Sequence, residues 1–108
     1  MMVLTIVESP FAGDVESNRA YLQRCIQDSL SRGEAPFASH QMYTDALDDE
    51  DPKERQLGMG AGFAWMAAAD QVAFYADRGF SPGMIAGMEN AQKLGLTVHI
   101  RILRDAAE

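Results

Sequence analysis

Apolar positions along the chain fall into two rhythms, short β-branched runs and longer stripes at helical spacing. Val3 to Val7 is a strand-like run that Glu8-Ser9-Pro10 breaks. Asp14 then offers a helix N-cap, and Leu22, Cys25, Ile26 and Leu30 form an apolar stripe reaching about Arg32, with Gly33 as the stop. Ala35-Pro36-Phe37-Ala38 predicts a short second strand, whose proline suits an edge or a strand start. Asp51-Pro52-Lys53-Glu54 opens a second helix, with proline at the first helical position and Asp51 with Glu54 resembling a capping box. That helix runs to about Ala68. Gln71 to Tyr75 predicts a third strand, Ser81 to Leu94 a third helix closed by Gly95, and Thr97 to Leu103 a fourth strand.

The order β-α-β-α-β-α-β implies an α/β fold: a small, doubly wound, four-stranded parallel sheet with helices on both faces. No repeat, low-complexity tract or linker interrupts it, so residues 1–108 read as one domain. A hydrophobic fraction of 47% and a charged fraction of 23% are those of a globular chain. The net charge of −7 repels a phosphate backbone and argues against non-specific nucleic-acid binding. Cys25 is the single cysteine, which rules out an internal disulfide and disfavours a secreted scaffold. The opening Met-Met-Val-Leu-Thr-Ile-Val lacks a basic leader and reads as the first strand, not a signal peptide. No apolar run approaches the ~20 residues that span a bilayer, so no membrane partner is expected and the cytoplasm is the expected location.

Sheets of this kind hold ligands beyond the carboxyl ends of their strands, near the point where strand order reverses. One rim therefore carries Glu8 to Asp14, Ser39 to Tyr43, Ala76 to Gly83 and whatever follows Leu103. Within it, Ser81-Pro82-Gly83 delivers a helix N-terminus after a strand and a glycine-bearing loop, an arrangement suited to phosphate, sugar or carboxylate groups. His40 suits a ligand contact, a proton transfer or a loop hydrogen bond; His99, inside a strand, suits a structural role. Gly58-Met-Gly-Ala-Gly62 lies inside a helix and lacks the third glycine of a dinucleotide fingerprint, so it reads as a close-packing surface. The carboxylates from Asp45 to Asp51 lack the alternation of a calcium loop and read as a solvated helix entry. No metal site and no cofactor are expected.

Ser9-Pro10-Phe11 with Gly13-Asp14-Val15-Glu16 resembles the first strand-to-helix turn of the nucleoside 2-deoxyribosyltransferase-like superfamily, and of its small uncharacterised bacterial and phage proteins in particular. Ala35-Pro-Phe-Ala-Ser-His40, Leu47-Asp-Asp-Glu-Asp-Pro52, Glu54-Arg55, Ser81-Pro-Gly-Met84 and Ala91-Gln-Lys-Leu-Gly95 are similar to that branch in order and spacing. The resemblance implies a flavodoxin-like or Rossmann-like fold and chemistry at the N-glycosidic bond of a nucleoside or nucleotide. It also implies a glutamate nucleophile on the last helix, an aspartate near the preceding strand end, an early tyrosine on the first strand, and sites completed by oligomers. The aspartate matches Asp77 and the ligand-loop serine Ser81; the tyrosine falls on Ile6 and the glutamate on Gly87, so both are missing. Glu89 is the nearest acid, but it lies on the other side of the helix, four residues before Lys93 in the order of a surface ion pair.

The leading expectation is a nucleoside- or nucleotide-binding protein without full glycosyl-transfer activity. Its ligand contacts would be Ser9, Pro10, Phe11, Asp14, His40, Asp77, Ser81, Gly83 and Met84. The alternatives are an N-glycosidase or deoxyribosyltransferase using Asp77 with Glu89, or an acid from a second subunit, and a phage or bacterial protein-interaction module. On the second helix, Leu57, Ala61, Ala64 and Ala68 form one stripe, leaving Met59, Phe63 and Met66 outside it. The expected partner is therefore a second copy, with those three side chains in a two-fold homodimer interface.

Overall fold

The computed structural model describes residues 2–103. Its elements are β1 (Val3–Glu8), α1 (Val15–Ser31), β2 (Glu34–Phe37), α2 (Ser39–Ala46), α3 (Pro52–Ala68), β3 (Gln71–Tyr75), α4 (Pro82–Leu94) and β4 (Thr97–Arg101). All three pairings are parallel and the strand order is β2-β1-β3-β4. The chain is thus a doubly wound α/β fold of the Rossmann or flavodoxin-like kind, as its element order implies. Pro36 sits on the edge strand β2, where a missing N–H costs least. The rim segment expected beyond Leu103 falls outside the described residues.

Strand alternation divides the interior in two. Ile6, Val72 and Phe74 point to one face and pack with Met66 of α3 and Met84 and Ala91 of α4. Val7, Ala73 and Tyr75 point to the other, against Tyr21, Leu22 and Cys25 of α1. Cys25 is fully buried there, and burial pushes its thiol up to about 12. Three helix entries follow from local chemistry. Asp14 accepts from the Ser17 N–H at 3.1 Å, Asp51 from Lys53 at 2.9 Å, and Ser81 from Met84 at 3.2 Å. Glu54 does not complete a capping box with Asp51; its carboxylate accepts the Asp48 N–H instead, at 3.0 Å. α4 ends where Gly95 turns to φ 67, a left-handed conformation that glycine adopts without strain.

Several features differ from the pattern-based expectation, among them β2, which runs Glu34–Phe37 rather than Ala35 to Ala38. Ser39–Ala46 forms a helix of its own, and β4 ends at Arg101 rather than Leu103. α3 is also turned. Met66 is 1% exposed in the core and Phe63 packs against that core, whereas Leu57 is 65% and Trp65 46% exposed on the outside. Of the three side chains expected at a dimer interface, Met66 therefore lies inside the chain, and Met59 lines the cavity described next. Two of the α3 glycines are close-packing positions: a Cβ on Gly62 would stand 3.1 Å from Ser39 Oγ, and one on Gly58 3.3 Å from a Leu47 methyl, whereas Gly60 has nothing within 4 Å.

Candidate functional site

The loops after β1 and β3, the two strands at which the order reverses, open onto one cavity of about 160 Å³ closed from above by α2 and α3. Its first wall is the segment after β1. Asn18, itself buried, donates through its side-chain amide to the Phe11 and Ala12 carbonyls at 3.1 and 3.0 Å. Arg78 locks this arrangement by donating to Ser17 Oγ and Asn18 Oδ1, both at 2.9 Å. Ser9 and Phe11 are therefore held in place against the cavity. The second wall is the first turn of α4, where the Ser81 cap orients Pro82, Gly83 and Met84.

α2 brings His40. Its Nε2 lies 3.2 Å from Ser9 Oγ, while the buried Nδ1 has no hydrogen-bond partner among the described residues. Burial lowers the imidazole to about 4, so it is neutral at physiological pH. Tyr43 stands one turn on, and its hydroxyl accepts from Trp65 Nε1 at 2.7 Å, tying α2 to α3.

The floor is Glu8. It ends β1 on the α3/α4 face, in register with Phe74, and is half-buried. A Cβ on Gly87 of α4 would lie 3.3 Å from Glu8 Oε2 and 3.2 Å from the Met66 methyl. No hydrogen bond or ion pair reaches this carboxyl among the described residues. Desolvation by burial raises it to about 8, leaving it largely protonated at neutral pH. The carboxyl group standing at Gly87 thus comes from β1, not from the helix.

Of the residues expected to bind a ligand, Ser9, Phe11, His40, Ser81, Gly83 and Met84 line this cavity. Pro10, Asp14 and Asp77 do not. Asp14 caps α1, and Asp77 faces the α1 side, accepting from the Tyr21 hydroxyl at 2.5 Å and from the Leu103 N–H at 3.0 Å. Glu89 is exposed on the outer side of α4 beside Lys93, away from the cavity. The acids between Asp45 and Asp51 serve locally: Asp45 pairs with Arg19 and Asp51 caps α3. Among the described residues no group of side chains has the makings of a metal site, and no helix is long and apolar enough to cross a membrane. Sequence reasoning placed Glu8 on the rim but missed it as a site residue. Its one signal was a carboxylate directly after an apolar strand. Tyr43 was likewise placed on the rim without being named a site residue, and Arg55, Met59 and Phe63 were missed for want of the α2–α3 packing that brings them in.

Across residues 3–101 the chain matches the model of the family described as Domain of unknown function (DUF7768), and it belongs to that family. No curated protein matches it.

Proposed function

We propose that this cavity holds the base of a nucleoside or nucleotide, in a protein without full glycosyl-transfer activity. The observation that carries the reading is the cavity itself, set at the switch point of a doubly wound sheet and lined by the apolar surfaces of Phe11, Met59, Phe63 and Met84 around a few polar groups. At about 160 Å³ it is well below the ~300–1,000 Å³ of sites that swallow a whole small molecule. It suits one flat ring system, with the sugar directed outward past the exposed lining residues Gly83 and Arg55. Arg55 is the one cation among the described lining residues, beside Asp49 and Glu54, so a nucleoside or monophosphate fits better than a polyphosphate. Titration calorimetry of the full chain with the common nucleosides and their monophosphates tests this. Saturable binding of at least one of them, at one per chain, is expected; no binding across the set refutes the reading.

A second reading is cleavage of the N-glycosidic bond, and the position of Glu8 favours it, because a protonated carboxyl beside Gly87 is available as a general acid. Release of free base from a nucleoside, abolished in Glu8→Gln, would promote it over simple binding. A cytoplasmic location and a two-fold homodimer go with either reading. The outward side of α3, where Leu57 and Trp65 are exposed, is the seat for such a dimer rather than Met66. Sedimentation of a monomer at micromolar concentration would remove it.

A further inference from the structure

A carboxyl group inside a protein is ordinarily met by donors or a cation, because leaving it bare costs free energy. Glu8 is met by neither among the described residues, although it ends a central strand directly after the buried Thr5, Ile6 and Val7. A Cβ added at Gly87 would meet both the Glu8 carboxyl and the Met66 methyl, and Glu8 lines the cavity. Other titratable or charged groups around that space are His40 and Tyr43 of α2, Asp49 of the following loop, and Glu54 and Arg55 of α3; the lining residues of α4 carry none. A larger residue at position 87 would press on the carboxyl, so the glycine leaves it room to meet a ligand.

We infer that Glu8 is the group that reads the ligand, giving one hydrogen bond and taking one, so that the cavity selects rings with an acceptor and a donor on adjacent atoms, as on the amide or amidine edge of a nucleobase. This rests on the nucleoside reading of the same cavity. A carboxylic acid presents its O–H and C=O side by side, complementary to such an edge. An ionised carboxylate only accepts, and suits a pair of donors such as a guanidinium. The burial that holds the proton on Glu8 to about pH 8 keeps the donor in place at physiological pH. His40, lowered to about 4, stays neutral through the same range and adds no second titration there.

Calorimetry with adenosine and thymidine, and with the edge-blocked N6,N6-dimethyladenosine and 3-methylthymidine, tests the inference on the full chain. At pH 6.5 at least one parent nucleoside should bind, and its methylated form should bind at least about tenfold more weakly. Glu8→Gln keeps one donor and one acceptor and should retain affinity within roughly threefold. Glu8→Leu removes both and should lose about tenfold or more. Adenosine does not titrate between pH 6.5 and 9. If it binds, wild-type affinity should fall about tenfold at pH 9, one unit above the Glu8 value, while Glu8→Gln stays flat. Binding by Glu8→Leu equal to wild type overturns the inference and leaves the nucleoside reading standing. So does loss in Glu8→Gln as complete as in Glu8→Leu, since Glu8→Gln preserves side-chain size. Absence of binding to all four probes by the wild type overturns the inference, and the nucleoside reading falls with it only when the other common nucleosides and the monophosphates fail to bind as well.

Discussion

Glu34 and Glu8 stand at ends of neighbouring strands, and the fold treats them in opposite ways. Glu34 begins β2 on the α1 face. Arg101 grips it with two donors at 2.8 and 2.6 Å, Ser29 donates at 2.7 Å and Gln71 at 2.9 Å. The partners are satisfied in turn: Arg101 also donates to the Tyr75 hydroxyl at 3.0 Å, and Tyr75 to Asp28 at 2.8 Å. Held by Arg101 first of all, the Glu34 carboxyl falls to about 2. Glu8 has no such company and rises to about 8. A saturated buried carboxylate has nothing left to offer a ligand and belongs to the architecture; an unmet one facing a cavity keeps its bonding capacity for something outside the chain.

The largest way to break this contrast is to unpair Glu34. Arg101→Met should cost roughly 3–5 kcal/mol of unfolding free energy, because it strands a charge buried to 7% exposure. The double variant Glu34→Met/Arg101→Met should recover most of that loss, since apolar replacements of such pairs are often neutral. Urea titration of the three proteins gives the answer. A loss under about 1 kcal/mol in the single variant would mean that Glu34 is not held as described.

Next comes the opposite manipulation at Glu8. Its folded value of about 8 lies above the ordinary 4.5, so the folded chain binds the extra proton and wild-type stability falls as pH rises between those values. Glu8→Leu should therefore gain stability toward pH 8, on the order of 4 kcal/mol from the ionisation alone, and this part should vanish below about pH 4.5. For Glu34 the sign reverses. Its contribution is fully present above about 4.5 and is lost as pH falls toward 2. Thermal melts from pH 3 to 9 would show the two slopes; a Glu8→Leu gain independent of pH would sink the account of Glu8 as a protonated group.

How far all this could be read from residue order differs by element. β3 and α4 were legible because their signals agree: a β-branched and aromatic run, then Ser81-Pro82 at one end and Gly95 at the other. α2 was not, because Ala38 provides no side-chain cap and the helix is eight residues long. Its support is tertiary, through Ser39 and Tyr43 set against the glycines of α3. The face of α3 was misread for a related reason. Large apolar residues surround its carboxyl half, so periodicity could not choose a side, and packing of Met66 and Phe63 with the core decided it. At the site, Ser9, Phe11, His40 and Ser81 lie in the segments that the rim rule names. Glu8 escaped because its importance lies in what does not touch it, and residue order carries no record of missing partners.

The smallest test compares two helix glycines. Gly60 of α3 has nothing within 4 Å of the position an added methyl would take, so Gly60→Ala should simply gain helix propensity, about 0.5–1 kcal/mol. Gly87→Ala gains the same propensity but sets its methyl 3.2 Å from the Met66 methyl and 3.3 Å from Glu8 Oε2. Both neighbours are ends of flexible side chains, which can yield by a few tenths of an ångström. The net change in stability should fall below that of Gly60→Ala by up to about 1 kcal/mol. The displaced group is the carboxyl at the cavity floor, so Gly87→Ala should also alter nucleoside affinity, whereas Gly60→Ala should not. Equal stability gains with unchanged affinity in both variants would show that Gly87 and Glu8 are not in the close contact on which the contrast with Glu34 depends.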